Sequence, residues 1–335
     1  SAEDYGKLAA ETGKVMKLMD PTIELIVCGS SLSNMKTYPE WDMEVLEKTY
    51  DVADYLALHQ YYAGQDKGTK GFLAQTLDME EYIRTIRSAA QVIKQKKRSK
   101  KEMKFSVDEW GVWAVPSNTV NAEIDQKPWG IAPAISEQIY TLEDALLFAG
   151  MQMVILRNAD VIKIACQSLL TNISACIMTE KNGEYWLQTI YYPFHYFATY
   201  AKGTVLKTAS IGPCYSCAEF DGVPYVDSLV VWNEEDQELV IFAVNRSEEE
   251  LQKAEDGMEL LFLGENQDLE HITEKVNMPS VYPGTDIAIQ WYLNSWEYIS
   301  VDGTVKNEGF TRAEQVEVTA VLSLEDQTVS WDRTV

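Results

Sequence analysis

Residues 104–113, KFSVDEWGVW, bring two carboxylates, Asp108 and Glu109, to the end of a short apolar run, with Trp110 and Trp113 beside them. A buried strand has no use for two acids, whereas an active site at a strand end does. A carboxylate flanked by aromatic rings suits glycoside hydrolysis. Retaining glycosidases hold two carboxyl groups about 5–5.5 Å apart across the scissile bond. One attacks the anomeric carbon; the other protonates the leaving group and then activates water. Glu109 is the candidate nucleophile. Strand alternation turns Asp108 to the opposite face, which removes it as the second acid. The plain alternative for Glu109 is a solvated strand end.

Other polar and aromatic residues occupy similar positions. Ser30 and Ser31 follow the apolar run 23–31, His59 and Tyr61 close the run 55–62, and Gln167 and Ser168 close the run 161–168. The pattern predicts four strands, the third being 104–110. Helices are predicted at 40–53, 79–97, about 136–158 and 186–201, and a loop carries Pro116, Pro128 and Pro133. In the helix 79–97, Tyr82, Ile83, Ile86, Ala90 and Ile93 share a face. An opening helix is expected to run to Asp20-Pro21, with a Ser1–Asp4 capping box and Tyr5, Leu8, Val15, Met16 and Met19 at helical spacing.

Strands alternating with helices imply a parallel sheet. Four such units fit an open doubly wound sheet or the second half of a (β/α)8 TIM barrel. The half barrel is favoured for two reasons. No glycine-rich phosphate fingerprint follows any strand, and functional residue types gather at the strands' C-terminal ends, where barrels place catalysis. Beyond residue 204 the runs become short and alternating (SLVVWN, ELVIFAVN, QVEVTAVLSL), which predicts an antiparallel β-sandwich. The expected domains are therefore 1–203 and 204–335.

Composition narrows the partners. The formal net charge of −24 argues against nucleic acid and anionic membranes, which need a basic face. No run approaches a membrane span. The basic segment Lys94 to Lys101 reads as a helix end favoured by the macrodipole rather than a phosphate patch. The five cysteines, at irregular spacing, suit a reducing compartment and a cytoplasmic location. The lone CxxC at Cys214 and Cys217 has too few companions for a zinc site, since the only histidines are His59, His195 and His271.

VDEWGVW, together with ALHQYY, DPTIELIVCGSS, IMTE and QTIYYPFHYFATYAKG, resembles glycoside hydrolase family 51, the α-L-arabinofuranosidases. The resemblance runs from residue 1 to about 245 and more weakly to the end. It implies a (β/α)8 barrel with a β-sandwich and removal of arabinofuranosyl units with retention, without a cofactor. The implied substrates are arabinose-containing oligosaccharides or polysaccharides, and the full-length protein is expected to be a homo-oligomer. Glu109 falls on the family's nucleophile. His59 and Tyr61 match a His-x-Tyr that supports it and lines the sugar subsite. Trp113 matches an aromatic wall, and Asn172 an asparagine after the eighth strand. An endoglucanase or xylosidase of the same barrel type, or a non-catalytic sugar-binding scaffold, is the alternative.

Two departures stand out. The family's acid/base glutamate lies in a Gly-Asn-Glu motif that this sequence lacks, so the chain is expected to be truncated before the fifth barrel strand and inactive and associated when alone. The family's Ala-Gln-Leu-Val-Asn is here SLLTN, with Leu169 at the glutamine position; Gln167 is the expected substitute.

Overall fold

A computed structural model describes residues 1–64, 67–114, 137–247, 257–259, 261–266, 268–270, 272–306, 315–324 and 327–335. These form two compact units, Ser1–Arg246 and Ser247–Val335. Pro116, Pro128, Pro133 and His271 lie outside the described residues.

The first unit is organised by a four-stranded parallel sheet in the order β1-β2-β3-β4: Ile26–Cys28, Tyr55–Tyr62, Lys104–Val112 and Ile162–Gln167. The helices between them are α1 (Ala2–Met19), α2 (Glu40–Thr49), α3 (Gly68–Leu73), α4 (Thr76–Lys97) and α5 (Leu142–Arg157). Helix α5 starts later than the spacing predicts because Thr141 and Asp144 form a capping box that fixes its first turn. Helix α6 (Tyr191–Tyr200) likewise starts late, since 185–187 are taken by a strand.

On α4 the predicted face is the buried one: Tyr82, Ile83, Ile86, Ala90 and Ile93 all join the main core. Helix α1 does the reverse. Its N-cap is as expected, with the Ser1 hydroxyl accepting from the Asp4 N–H. Its buried face, however, is the small-residue line Gly6, Ala10 and Gly13. Leu8, Val15 and Met19 are 69%, 61% and 82% exposed, so the apolar spacing there marks the uncovered side. A Cβ at position 6 would sit 2.9 Å from the Lys48 side chain, which explains why small residues are needed where α1 meets α2.

Strand β3 carries the feature that shapes the site. Ala57 pairs with Ser106, but the next pair is His59 with Glu109. One residue of β2 therefore faces two of β3, a β-bulge at Val107–Asp108. The pairing with β4 slips at the same place, between Val107 and Trp110.

Past β4 lies a small sheet, β5-β6-β7 (Leu169–Thr171, Ala175–Thr179, Tyr185–Leu187). From residue 204 on, every strand pairing is antiparallel among the described residues. Strand β8 (Thr204–Leu206) and β12 (Glu238–Asn245) flank β11 (Val226–Asn233), and β9 (Cys214–Tyr215) pairs β10 (Val223–Pro224). The β11–β12 sheet shares a core with α5 and α6 through Met153, Phe197, Leu229, Val231 and Val244, and so belongs to the first unit. The second unit is built on β13-β14-β15 (Ala288–Leu293, Glu317–Leu324, Gln327–Thr334) over a core that includes Phe262, Ile289 and Trp331.

Candidate active site

Glu109 stands at the C-terminal end of β3, half exposed, as a reacting carboxylate must be. Its Oε2 lies 3.5 Å from His59 Nδ1 on the neighbouring strand. Tyr61, two residues on from His59, also reaches Glu109. Burial pushes the Tyr61 phenol above its usual range, a hydrogen bond from Ser168 opposes this, and the charge of Glu109 adds to it. Tyr61 thus stays protonated at neutral pH, with a hydroxyl proton to offer the carboxylate. Trp113 meets Tyr61 edge to face, with centroids 6.2 Å apart at 88°, and makes a wall beside the acid. Four of the six sequence-predicted residues, Glu109, His59, Tyr61 and Trp113, therefore converge.

The structure corrects the reading of Asp108. Its Oδ1 lies 3.2 Å from His59 Nε2, so both acids flank one imidazole. Regular alternation would have separated them; the bulge cancels it. That oxygen is buried and has no hydrogen-bond partner besides this ion-pair geometry. A clue was present in the sequence. Gly111 lies two residues beyond Glu109, and a glycine inside a strand often signals a bulge or a close approach. Its φ is 155°, and a Cβ there would come within 3.7 Å of the Tyr61 ring.

The other two predicted residues are engaged elsewhere. The Gln167 amide donates to the Ser174 carbonyl at 2.5 Å, and its oxygen accepts from the Cys176 thiol. Asn172, at φ 70°, accepts from the Thr179 N–H and hydroxyl at 2.7 and 3.1 Å. Both shape the β5–β6 connection. Leu169 is 44% exposed. At the end of β1, Ser30 is buried, with its N–H and hydroxyl bound to Asp42 at 2.8 and 2.5 Å.

The basic run ends α4 as expected. Lys94, Lys96 and Lys97 pair with Glu102, Glu47 and Asp51, and Lys101 caps the carbonyls of Tyr50 and Ala53. Among the described residues no cluster of three or more His, Cys, Asp or Glu could hold a metal ion. No helix among them is long and apolar enough to cross a membrane.

Residues 108–330 match the model of the α-L-arabinofuranosidase C-terminal domain. The chain is 48% identical over 250 residues to an intracellular exo-α-(1→5)-L-arabinofuranosidase of Halalkalibacterium halodurans, covering 75% of this chain and 49% of that protein. The chain belongs to the α-L-arabinofuranosidases of glycoside hydrolase family 51. A Bacillus subtilis intracellular exo-α-(1→5)-L-arabinofuranosidase is 43% identical over 289 residues, covering 84% of this chain and 57% of the relative. Among solved structures, a family 51 α-L-arabinofuranosidase from Bifidobacterium longum superposes with a TM-score of 0.69 at 32% identity, over 74% of this chain and 50% of that one. The Thermotoga maritima α-L-arabinofuranosidase in complex with arabinose has a TM-score of 0.61 at 20% identity, over 100% and 60%, and shares the fold. The chain spans about half the length of the curated relatives it matches.

Proposed function

We propose that this chain carries the nucleophile half of a retaining, exo-acting α-L-arabinofuranosidase. Residues 1–203 supply the last four strand–helix units of a (β/α)8 barrel, and the antiparallel strands from residue 204 on supply β-sandwich sheets, the first of which shares a core with α5 and α6. Glu109 attacks C1 of a terminal arabinofuranosyl unit and forms the glycosyl-enzyme. His59 and Tyr61 hold its carboxylate by hydrogen bonds to the charged form, and Trp113 walls the furanose. Strands outside residues 1–335 complete the barrel and bring the acid/base glutamate, since the sequence holds no Gly-Asn-Glu. The substrate is an arabinose-containing oligosaccharide or polysaccharide, the location cytoplasmic, and no cofactor is called for, because the two carboxyl groups suffice for the chemistry.

The observation that carries this reading is the carboxylate at a parallel strand's C-terminal end, half exposed, with an imidazole and a phenol turned to it. The test is mass spectrometry of the active enzyme after reaction with a slow fluorinated arabinofuranoside. The label is expected on the peptide holding Glu109 and should be absent in Glu109→Gln, because an amide is a poor nucleophile. Labelling of a peptide without Glu109 would overturn the assignment.

A further inference from the structure

We propose that Ser168 is a positioning residue for the nucleophile: its hydroxyl holds the Tyr61 phenol across the gap left by Gly111, and Tyr61 in turn holds Glu109. The inference rests on the role proposed above for Glu109.

The register supplies the geometry. Tyr61 pairs with Gly111 on β3, and Trp110 pairs with Gln167 on β4, so Ser168 is the next residue in the row that runs Tyr61, Gly111, Ser168. The middle position has no side chain. The Tyr61 ring lies so close over it that even a Cβ would be in contact, at 3.7 Å. A tyrosine on β2 can therefore reach across β3 to a side chain at the end of β4. At the far side stand three consecutive residues. Gln167 is bound to Ser174 and Cys176. Leu169 has no polar atom to offer. Ser168 is half-buried and its hydroxyl meets Tyr61, which also contacts Glu109.

In the proposed arrangement the donors run one way: the Ser168 hydroxyl donates to the Tyr61 oxygen, and the Tyr61 hydroxyl donates to the Glu109 carboxylate. Consecutive hydrogen bonds polarise one another, so Ser168 strengthens the bond that Tyr61 makes and fixes the direction of the phenol. This is a function for the end of β4 that does not require Gln167 or Asn172 to face the sugar.

The test follows Tyr61 directly. The active enzyme is labelled with ring-¹³C tyrosine, the Tyr61 signal is assigned with Tyr61→Phe, and its titration is followed by NMR. Ser168→Ala should move the Tyr61 midpoint to higher pH, Ser168→Thr should restore it, and Glu109→Gln should move it to lower pH. In the active enzyme, Ser168→Ala should lower kcat roughly two- to tenfold, the effect of one lost neutral hydrogen bond. It should cost nothing further in a Tyr61→Phe background. A Tyr61 midpoint unmoved by Ser168→Ala would overturn the contact, whatever Glu109 does. A midpoint that answers to Ser168 but not to Glu109→Gln would overturn the link to the carboxylate. Neither result depends on where the fluorinated sugar attaches, so failure here is separable from failure of the nucleophile assignment.

Discussion

At the ends of the two central strands, β2 and β3, polar side chains face one another: Glu109 and Asp108 flank His59, and Tyr61 reaches Glu109. At the ends of the outer strands the polar side chains, Ser168 apart, are spent on the scaffold. On β1, Ser30 is bound to buried Asp42; past β4, Gln167 and Asn172 bind backbone of their own loop. All these residues look alike in sequence, as polar groups closing apolar runs. The difference is whether the surrounding scaffold has already taken their hydrogen bonds. A donor or acceptor satisfied by the scaffold is a structural part, and one facing a half-exposed carboxylate is available for chemistry.

Substitutions can break or sharpen this contrast. Glu109→Gln should have the largest effect, a loss of activity on the order of 10⁴-fold or more, as when other nucleophiles are removed. His59→Ala comes next. It removes the imidazole that approaches the Glu109 carboxylate at 3.5 Å; taking the contact as a hydrogen bond to a charged group in the reacting complex, worth about 1.5–3 kcal/mol, kcat/KM should fall roughly 10- to 150-fold. An effect at Gln167 as large as that at His59 would erase the distinction between central and outer strands. Leu169→Gln tests the border between the two regions. A polar side chain there adds one hydrogen bond to the furanose pocket, and kcat/KM for an aryl arabinofuranoside should rise roughly two- to tenfold. An unchanged or lower value would mean that the pocket already has its full set.

Ser168 apart, the outer strands should respond in stability rather than rate. Asn172→Ala loses two hydrogen bonds and places a Cβ-bearing residue without a polar side chain at φ 70°. The expected cost is about 1–3 kcal/mol in urea unfolding, with kcat/KM within about twofold of the parent. The smallest effect is expected at Asp42. Burial raises its carboxyl above the usual range, against the Ser30 hydrogen bonds that lower it. The folded value lies above the unfolded one, so its contribution is full below the unfolded pKa and is lost as pH rises through the folded value. Asp42→Asn keeps a partner for both Ser30 groups and removes that dependence. The difference in urea midpoint between parent and variant should therefore change as pH rises from the ordinary carboxylate range through the raised folded value and be flat above it. A constant difference would show that Asp42 does not titrate in that window.

Much of this was legible in the sequence, for physical reasons that differ by element. The four parallel strands were, because each is a continuous apolar run closed by small or polar residues. So was the buried face of α4, because large apolar residues at helical spacing met an equally large core. The same rule misled on α1. Periodicity reports that a face is apolar, not that something covers it, and glycine and alanine at positions 6, 10 and 13 gave the closer packing. At the site, the convergence of Glu109, His59, Tyr61 and Trp113 was legible because types and order were both specific. Asp108 was not, because one extra residue in β3 defeats a parity argument. That Gln167 and Asn172 bind the loop 172–179 was not legible, because no one-dimensional pattern shows which side chains such a loop consumes.

That extra residue also gives β3 two independent phases. Phe105 and Val107 are buried, and Glu109 onward follows a count that restarts after the bulge. The core can therefore be redrawn upstream without rotating the reacting carboxylate, and the carboxylate's surroundings can be redrawn downstream without disturbing the core. A library varied at 104–107 should yield many active members. Deleting Val107 would leave one residue of β3 opposite one of β2, restore regular alternation and turn Asp108 away from His59, while Glu109 kept its place beside it. Strand length at this point thus sets whether one acid or two meet the imidazole, while its chemistry on either side is free to drift.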